Sequence, residues 1–143
     1  MKAFRHEGGC HCGATRWTLE TSQALDAFAP RACDCDFCTR HRAAWVSDPL
    51  GRLRIAANGS VRRYRQGSVQ ADFLFCGTCG VLVAVTCTGE DGAPRGAVNG
   101  NSFDLRDRLG AEVVASPQKL EPGAKLARWT QLWTPMTSDA DWT

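Results

Sequence analysis

The stretch ATRWTLE alternates, with Thr15, Trp17 and Leu19 on one face and Ala14, Arg16 and Thr18 on the other. A period of two predicts a half-buried β-strand. RLRIAA, then Asn58-Gly59, then SVRRYR predicts a β-hairpin, because Asn-Gly suits the tight turns that match strand twist. VQADFLF and VLVAVTC flank a compact CGTCG turn and predict a second hairpin. GAVNG and AEVVAS are further short strand candidates. Helical periodicity is weak. A short helix is expected within Thr39 to Ser47, and a turn or helix within Phe103 to Leu109. KLARWTQLW, towards the C-terminus, reads as a strand. The sum is an all-β or strand-dominated protein, expected to form one domain over residues 1–143.

Composition narrows the class. Apolar residues make up 43% and charged residues 22%, values of an ordinary globular chain. No run of eighteen apolar residues is present, so no transmembrane helix is expected. MKAFRHEGG has no apolar run behind its basic residues, so no secretory signal is expected. The expected compartment is the cytoplasm, where thiols stay reduced. That bears on eight cysteines: Cys10, Cys12, Cys33, Cys35, Cys38, Cys76, Cys79 and Cys87. Clustered cysteines in a reducing compartment favour metal over disulfides. Seven of them as thiolates on two zinc ions would move the formal charge from +2 to about −1. The basic pI is then no argument for a nucleic-acid partner.

Three clusters carry the chemistry. Cys10 and Cys12 flank His11, and a disulfide between them would close a badly strained ring. Cys33, Cys35 and Cys38 lie in CDCDFC. Cys76 and Cys79 lie in CGTCG, a knuckle that turns two sulfurs towards one point before a glycine suited to positive φ. A structural zinc needs four ligands, so the knuckle requires a second thiol pair. Either Cys10 and Cys12 supply it, or two of Cys33, Cys35 and Cys38 do. The first partition leaves three thiols and one open position, the pattern of a catalytic or ligand-binding zinc. The second leaves Cys10 and Cys12 without a function. Cys87 shares a face with Val81, Val83 and Val85 and, at roughly 3.3 Å per residue, lies about 26 Å from Cys79, which makes it a core thiol. His11 reads as exposed. His41 is a weaker candidate for a fourth ligand of the second cluster. Trp17 and Trp45 read as core, and Arg62-Arg63-Tyr64-Arg65 as an exposed hairpin face.

GGCHCGATRW, CDCDFCTRH, FCGTCG and AVNG together resemble the glutathione-dependent formaldehyde-activating (GFA, CENP-V/GFA) family, over a core of about residues 5–104. The resemblance implies an Mss4-like fold of twisted antiparallel sheets with zinc knuckles. It implies a structural zinc on Cys10, Cys12, Cys76 and Cys79, and a second, labile zinc on Cys33, Cys35 and Cys38. It implies a carbon–sulfur lyase of the S-(hydroxymethyl)glutathione synthase type, with glutathione or another small thiol and formaldehyde or a related aldehyde as partners. Asp34 stands where the family usually has histidine, and it adds negative charge beside the thiols, which Arg31, Arg40 and Arg42 would offset.

A zinc held by three thiolates is a poor maker of hydroxide but a good acceptor of another thiolate. Glutathione bound there would be a nucleophile towards formaldehyde. Arg40 and Arg42 follow the cluster and are the expected contacts for its carboxylates, since arginine forks match carboxylates. Asn99 is a further substrate-binding candidate. Two other readings use the same residues: a thiol-binding carrier, and a zinc-stabilised β module for protein contact. A redox disulfide within the second cluster is a third. A small β domain with exposed strand edges also suits a homodimer.

Overall fold

A computed structural model of the chain describes residues 4–138. Its elements in order are β1 (Phe4–Gly9), β2 (Thr15–Thr21), β3 (Arg31–Cys33), α1 (Asp36–His41), β4 (Ala44–Val46), β5 (Arg52–Ala57), β6 (Val61–Tyr64), β7 (Asp72–Cys76), β8 (Leu82–Thr88), β9 (Pro94–Asn99), β10 (Val113–Ala115), α2 (Pro122–Leu132) and β11 (Thr134–Ser138). The protein is strand-dominated, as the alternation predicts. A 3-10 turn at Arg106–Arg108 falls within the stretch expected to coil.

Strand β9 is the junction of the sheet. It pairs with β8 over Pro94 to Val98. On its other side it pairs first with β11, at Arg95 and Gly96, and then with β4, at Val98 and Asn99. The β11 branch runs on through β5 and β2 to β1, and the β4 branch through β3 to β10. The β8 branch continues through β7 to β6. Most pairings are antiparallel, but β10 runs parallel to β3 and β11 parallel to β5. Two apolar clusters result. One gathers Trp17, Leu19, Leu53, Ile55 and Phe103 between the β2–β5 region and the rest. The other gathers Cys33, Cys38, Trp45, Phe73, Cys87 and Trp133. In β2 the odd positions Thr15 to Thr21 are buried and the even ones are not, as the period of two requires.

Three local expectations are corrected. The Asn58-Gly59 pair does not close a hairpin: β5 pairs with β2 and β11, whereas β6 pairs with β7. The Asn58 amide donates to the Ala14 carbonyl at 2.6 Å, and Ser60 accepts from Gly77 at 2.8 Å. The linker is tied to both flanking turns, so it carries the chain from one branch of the sheet to another. The helix expected at Thr39 to Ser47 begins earlier and ends at His41. Arg42 takes the left-handed conformation, φ 52°, and its amide caps the carbonyls of Cys38 and Thr39. Ala44, Trp45 and Val46 then bury all three side chains as β4. KLARWTQLW is helix α2, not a strand. Pro122 opens it, where a missing N–H costs nothing. Leu126, Trp129 and Leu132 recur every three residues and pack on the second cluster.

Gly8 bridges to Phe103 across the sheet edge, and a Cβ there would run into the Ser102 carbonyl oxygen and the Trp17 ring. Gly8→Ala should destabilise the protein by about 1–3 kcal/mol, the usual cost of overpacking. Gly123→Ala, whose added methyl meets nothing in helix α2, should stabilise it by up to about 1 kcal/mol. Chemical denaturation midpoints moving in opposite directions check both.

Candidate metal centres

The knuckle geometry is built by backbone. Cys10 and Cys12 lie on the connection between β1 and β2, where the Cys10 amide donates to the Thr15 carbonyl at 2.9 Å. Cys76 ends β7, and Gly80 returns its amide to the Cys76 carbonyl at 2.9 Å. Gly13 and Gly80, which follow the second cysteine of each pair, have φ of +87° and +82°. Only glycine takes that conformation without steric cost.

The two turns meet at their tips. The sulfurs of Cys10, Cys12, Cys76 and Cys79 all lie within 4.8 Å of one another. Cys10 Sγ is 3.7 Å from Cys12 Sγ, which is 3.6 Å from Cys76 Sγ. A tetrahedral thiolate site with metal–sulfur bonds of about 2.3 Å has sulfur–sulfur edges of about 3.8 Å. The four sulfurs therefore fit one metal ion. Backbone amides point at them: Thr15 N donates to Cys10 Sγ at 3.3 Å, and Thr78 N and Cys79 N to Cys76 Sγ at 3.4 and 3.5 Å. Such bonds favour the thiolate that a metal requires. Of the two partitions open to the sequence, the structure brings together the first.

The second cluster has the same chemistry in another setting. Cys33 closes β3, Cys35 caps the start of α1 and Cys38 lies within the helix. Cys35 Sγ accepts from the Cys38 amide at 3.4 Å, the bond a helix N-cap normally makes with oxygen. That capping bond turns the CxxC spacing into two sulfurs on one side. The three sulfurs lie within 4.8 Å of one another, and the group contains no fourth ligand among the described residues. Hydrogen bonding with Cys38 holds the Cys33 thiol down to about 6 and pushes Cys38 up.

Cys33, Cys35 and Cys38 all line a cavity of about 240 Å³. This lies a little below the usual 300–1,000 Å³ of small-molecule sites. Its walls carry Trp45, Phe73 and Val85 from the sheet, Gln66, Gly67, Ser68, Gln70 and Ala71 from the β6–β7 connection, and Lys125, Arg128, Trp129, Leu132 and Trp133 from α2 and its end. Residues 125, 128, 129 and 132 fall on one face of a helix, so α2 presents a single stripe to the cavity. Gln66 Nε2 lies 3.9 Å from Cys35 Sγ. Burial, with a smaller contribution from the nearby charge of Arg128, pulls the Arg31 guanidinium down to about 10.

The other expected site residues lie elsewhere. Arg40 is exposed and pairs with Asp36 at 3.1 Å. Arg42 and His41 line a separate shallow depression that also reaches Cys33 and Cys38. Neither Arg40 nor Arg42 lines the cavity. Asn99 is buried: its Oδ1 accepts from Ala44 N and Asn101 N, and its Nδ2 donates to the Leu82 carbonyl at 3.1 Å. It braces β4 and β8 and does not line the cavity. Asp34 is bound by Ser116 Oγ and Gln118 Nε2, and the Ser116 bond holds its carboxyl below the ordinary range. Its charge is spent on β10 and the segment after it. His11 is exposed and Cys87 is buried apart from both clusters, where burial pushes its thiol up to about 11. Trp17 is core, with Nε1 donating to Ser102 Oγ at 3.0 Å. Trp45 packs in the core and lines the cavity as well. Arg31, Lys125 and Arg128 are the cations of the cavity wall. The sequence names Arg31 only as a charge offset and does not mark the other two, because α2 reads there as a strand.

Cys76→Ser should unfold the protein or strip its metal, since a closed tetrathiolate site contributes roughly 10 kcal/mol or more to folding. Metal analysis with near-ultraviolet circular dichroism checks this. A variant that stays folded with unchanged metal content would refute the assignment.

Two comparisons bear on these centres. Residues 5–118 match the family model described as "Glutathione-dependent formaldehyde-activating enzyme". A crystal structure of a Rhodobacter sphaeroides protein is similar, with 26% sequence identity, a TM-score of 0.58, and coverage of 76% of this chain and 99% of that one.

Proposed function

The chain belongs to the glutathione-dependent formaldehyde-activating enzyme family, and from that premise we propose that it is a carbon–sulfur lyase joining a small thiol, glutathione in the family's named reaction, to formaldehyde or a related aldehyde. Cys10, Cys12, Cys76 and Cys79 hold a structural zinc in this reading. Cys33, Cys35 and Cys38 hold the second zinc, at which the thiol binds. The observation that carries the reading is the opening of the three-cysteine cluster into a cavity, where the four-cysteine cluster is closed by its own ligands.

Zinc held by three thiolates supplies one free position that takes a further sulfur as thiolate. The chain's own residues do the rest. Cys33, Cys35 and Cys38 would hold the ion at the cavity wall, and Trp45, Phe73 and Val85 give the cavity an apolar side. Gln66 offers an amide N–H beside Cys35, suited to the oxygen of the carbonyl partner. In the reaction a sulfur–carbon bond forms and the carbonyl π bond breaks. The proton of the thiol ends on the former carbonyl oxygen. No oxidant or reductant is needed.

Cobalt(II) in place of zinc reports the coordination directly. Adding glutathione to the cobalt-loaded protein should strengthen the sulfur-to-cobalt charge-transfer band as a fourth sulfur joins. Cys35→Ser should abolish that response and any acceleration of formaldehyde consumption, while leaving the fold intact. A wild-type protein whose spectrum ignores both glutathione and 2-mercaptoethanol would overturn the proposal. A spectrum that responds without any acceleration of the reaction would make the protein a thiol carrier.

A further inference from the structure

Arg31 lies two residues before Cys33 on β3, so both side chains leave the strand on the same face. Both line the cavity. One Arg31 donor, Nη2, bonds Ser47 Oγ at 2.8 Å, and Ser47 Oγ in turn donates to the Leu132 carbonyl at 2.7 Å. This chain pins the guanidinium to the wall. Its remaining N–H groups have no acceptor among the described residues. Arg128 comes from α2 to the rim of the same cavity, and it too has no carboxylate partner there. Lys125 adds a third positive charge, with Nζ 3.3 Å from Ser68 Oγ and 6.0 Å from the centre of the Trp129 ring. The one acid on the wall, Asp36, is already paired with Arg40. Three thiolates around a divalent ion leave a single negative charge, which balances only one of the three cations. Like charges on a half-buried wall gain from an anion that joins them: Arg31 and Lys125 are half-buried, and Arg128 adds its charge from the exposed rim.

The rest of the wall limits what that anion is. Trp129 and Trp133 stack with ring centres 4.7 Å apart and planes inclined by 14°, and Trp45 and Phe73 pack together across the sheet. Four aromatic side chains surround a volume of about 240 Å³. A volume of this size is small for an extended tripeptide and suits a compact body with a flat apolar side that packs against aromatic side chains. Lys125, Arg128, Trp129, Leu132 and Trp133 all lie beyond residue 118, where the match to the family model ends.

We propose that Arg31 and Arg128 form a carboxylate subsite, and that the cavity selects a compact ligand in which this carboxylate is joined to a flat apolar or aromatic body lying against Trp129 and Trp133. The ligand is either the thiol itself or the carbonyl partner. The assignment deepens the function proposed above and rests on it for the reaction that uses the ligand. The guanidinium fork fixes the carboxylate, and the aromatic wall packs against the ring.

Benzoate tests the subsite without any thiol. In the zinc-loaded full chain it should change tryptophan fluorescence and bind at least ten times more tightly than benzyl alcohol, its neutral counterpart, or acetate, which lacks the ring. Arg128→Gln, at an exposed position, and Arg31→Gln should each weaken benzoate at least tenfold with zinc content unchanged. Arg31→Lys, which keeps the charge and loses the fork, should also weaken it. Equal binding of benzoate and benzyl alcohol, or unaltered benzoate binding in Arg128→Gln and Arg31→Gln, would overturn the subsite. A parallel titration of the cobalt-loaded protein with 2-mercaptoethanol, a thiol without a carboxylate, separates the two proposals. Arginine-dependent benzoate binding without a cobalt response to this thiol or to glutathione upholds the subsite and removes the thiol reaction. A cobalt response with no benzoate binding does the reverse.

Discussion

Two hairpin turns from different branches of the sheet meet tip to tip and bring four sulfurs together, and much of the architecture follows from that meeting. The β1–β2 connection and the β7–β8 turn share no strand pairing. Between their tips runs the Asn58-Gly59 linker, bonded on one side to Ala14 and on the other through Ser60 to Gly77. With the turns fixed, β6 is delivered to β7, and β5 is left to β2 and β11. A protein of this size buries a limited core, and a metal held between distant turns would add stability that apolar area alone does not.

The same ligand atom serves two ends because the surrounding backbone differs. In the four-cysteine centre, two turns face each other and each contributes a pair, so the coordination shell closes. In the three-cysteine centre one segment supplies every sulfur: the end of β3, the cap of α1 and the helix itself. A single short segment can surround only one side of an ion, and the other side faces the cavity. Openness here is a consequence of chain economy in six residues, and it leaves the three sulfurs facing the cavity.

The cavity is completed by a part of the chain that contributes no metal ligand. Helix α2 lays Lys125, Arg128, Trp129 and Leu132 along one stripe, and Trp133 follows at its end. The end of β3 and α1 provide the thiols, and the sheet provides Arg31 and one aromatic wall, whereas α2 adds Lys125, Arg128 and a second aromatic wall. The candidate metal ligands and the charged helix thus lie on different elements. The family match covers the first and stops short of the second.

Much was legible from residue order alone. The β2 strand, the β7–β8 hairpin and the CGTCG knuckle follow from local rules, since alternation and positive φ are properties of a few neighbouring residues. The three thiol clusters were visible for the same reason. The grouping of Cys10 and Cys12 with Cys76 and Cys79 was implied by the family resemblance, but local spacing left it open. The Asn58-Gly59 linker, the end of α1 at Arg42 and the helical state of α2 were not legible. In each case a distant partner decided among conformations that are locally close in energy. Asn58 found Ala14, Ala44 to Val46 found β3 and β9, and Leu126 and Trp129 found the second apolar cluster. The cations followed the same logic. Arg40 and Arg42 are near the cluster in sequence but turn away from the cavity, while Arg128 is some ninety residues from Cys38 and lines it. Local covalent geometry sets which residues act as ligands, and only the packing of remote segments sets what stands opposite them.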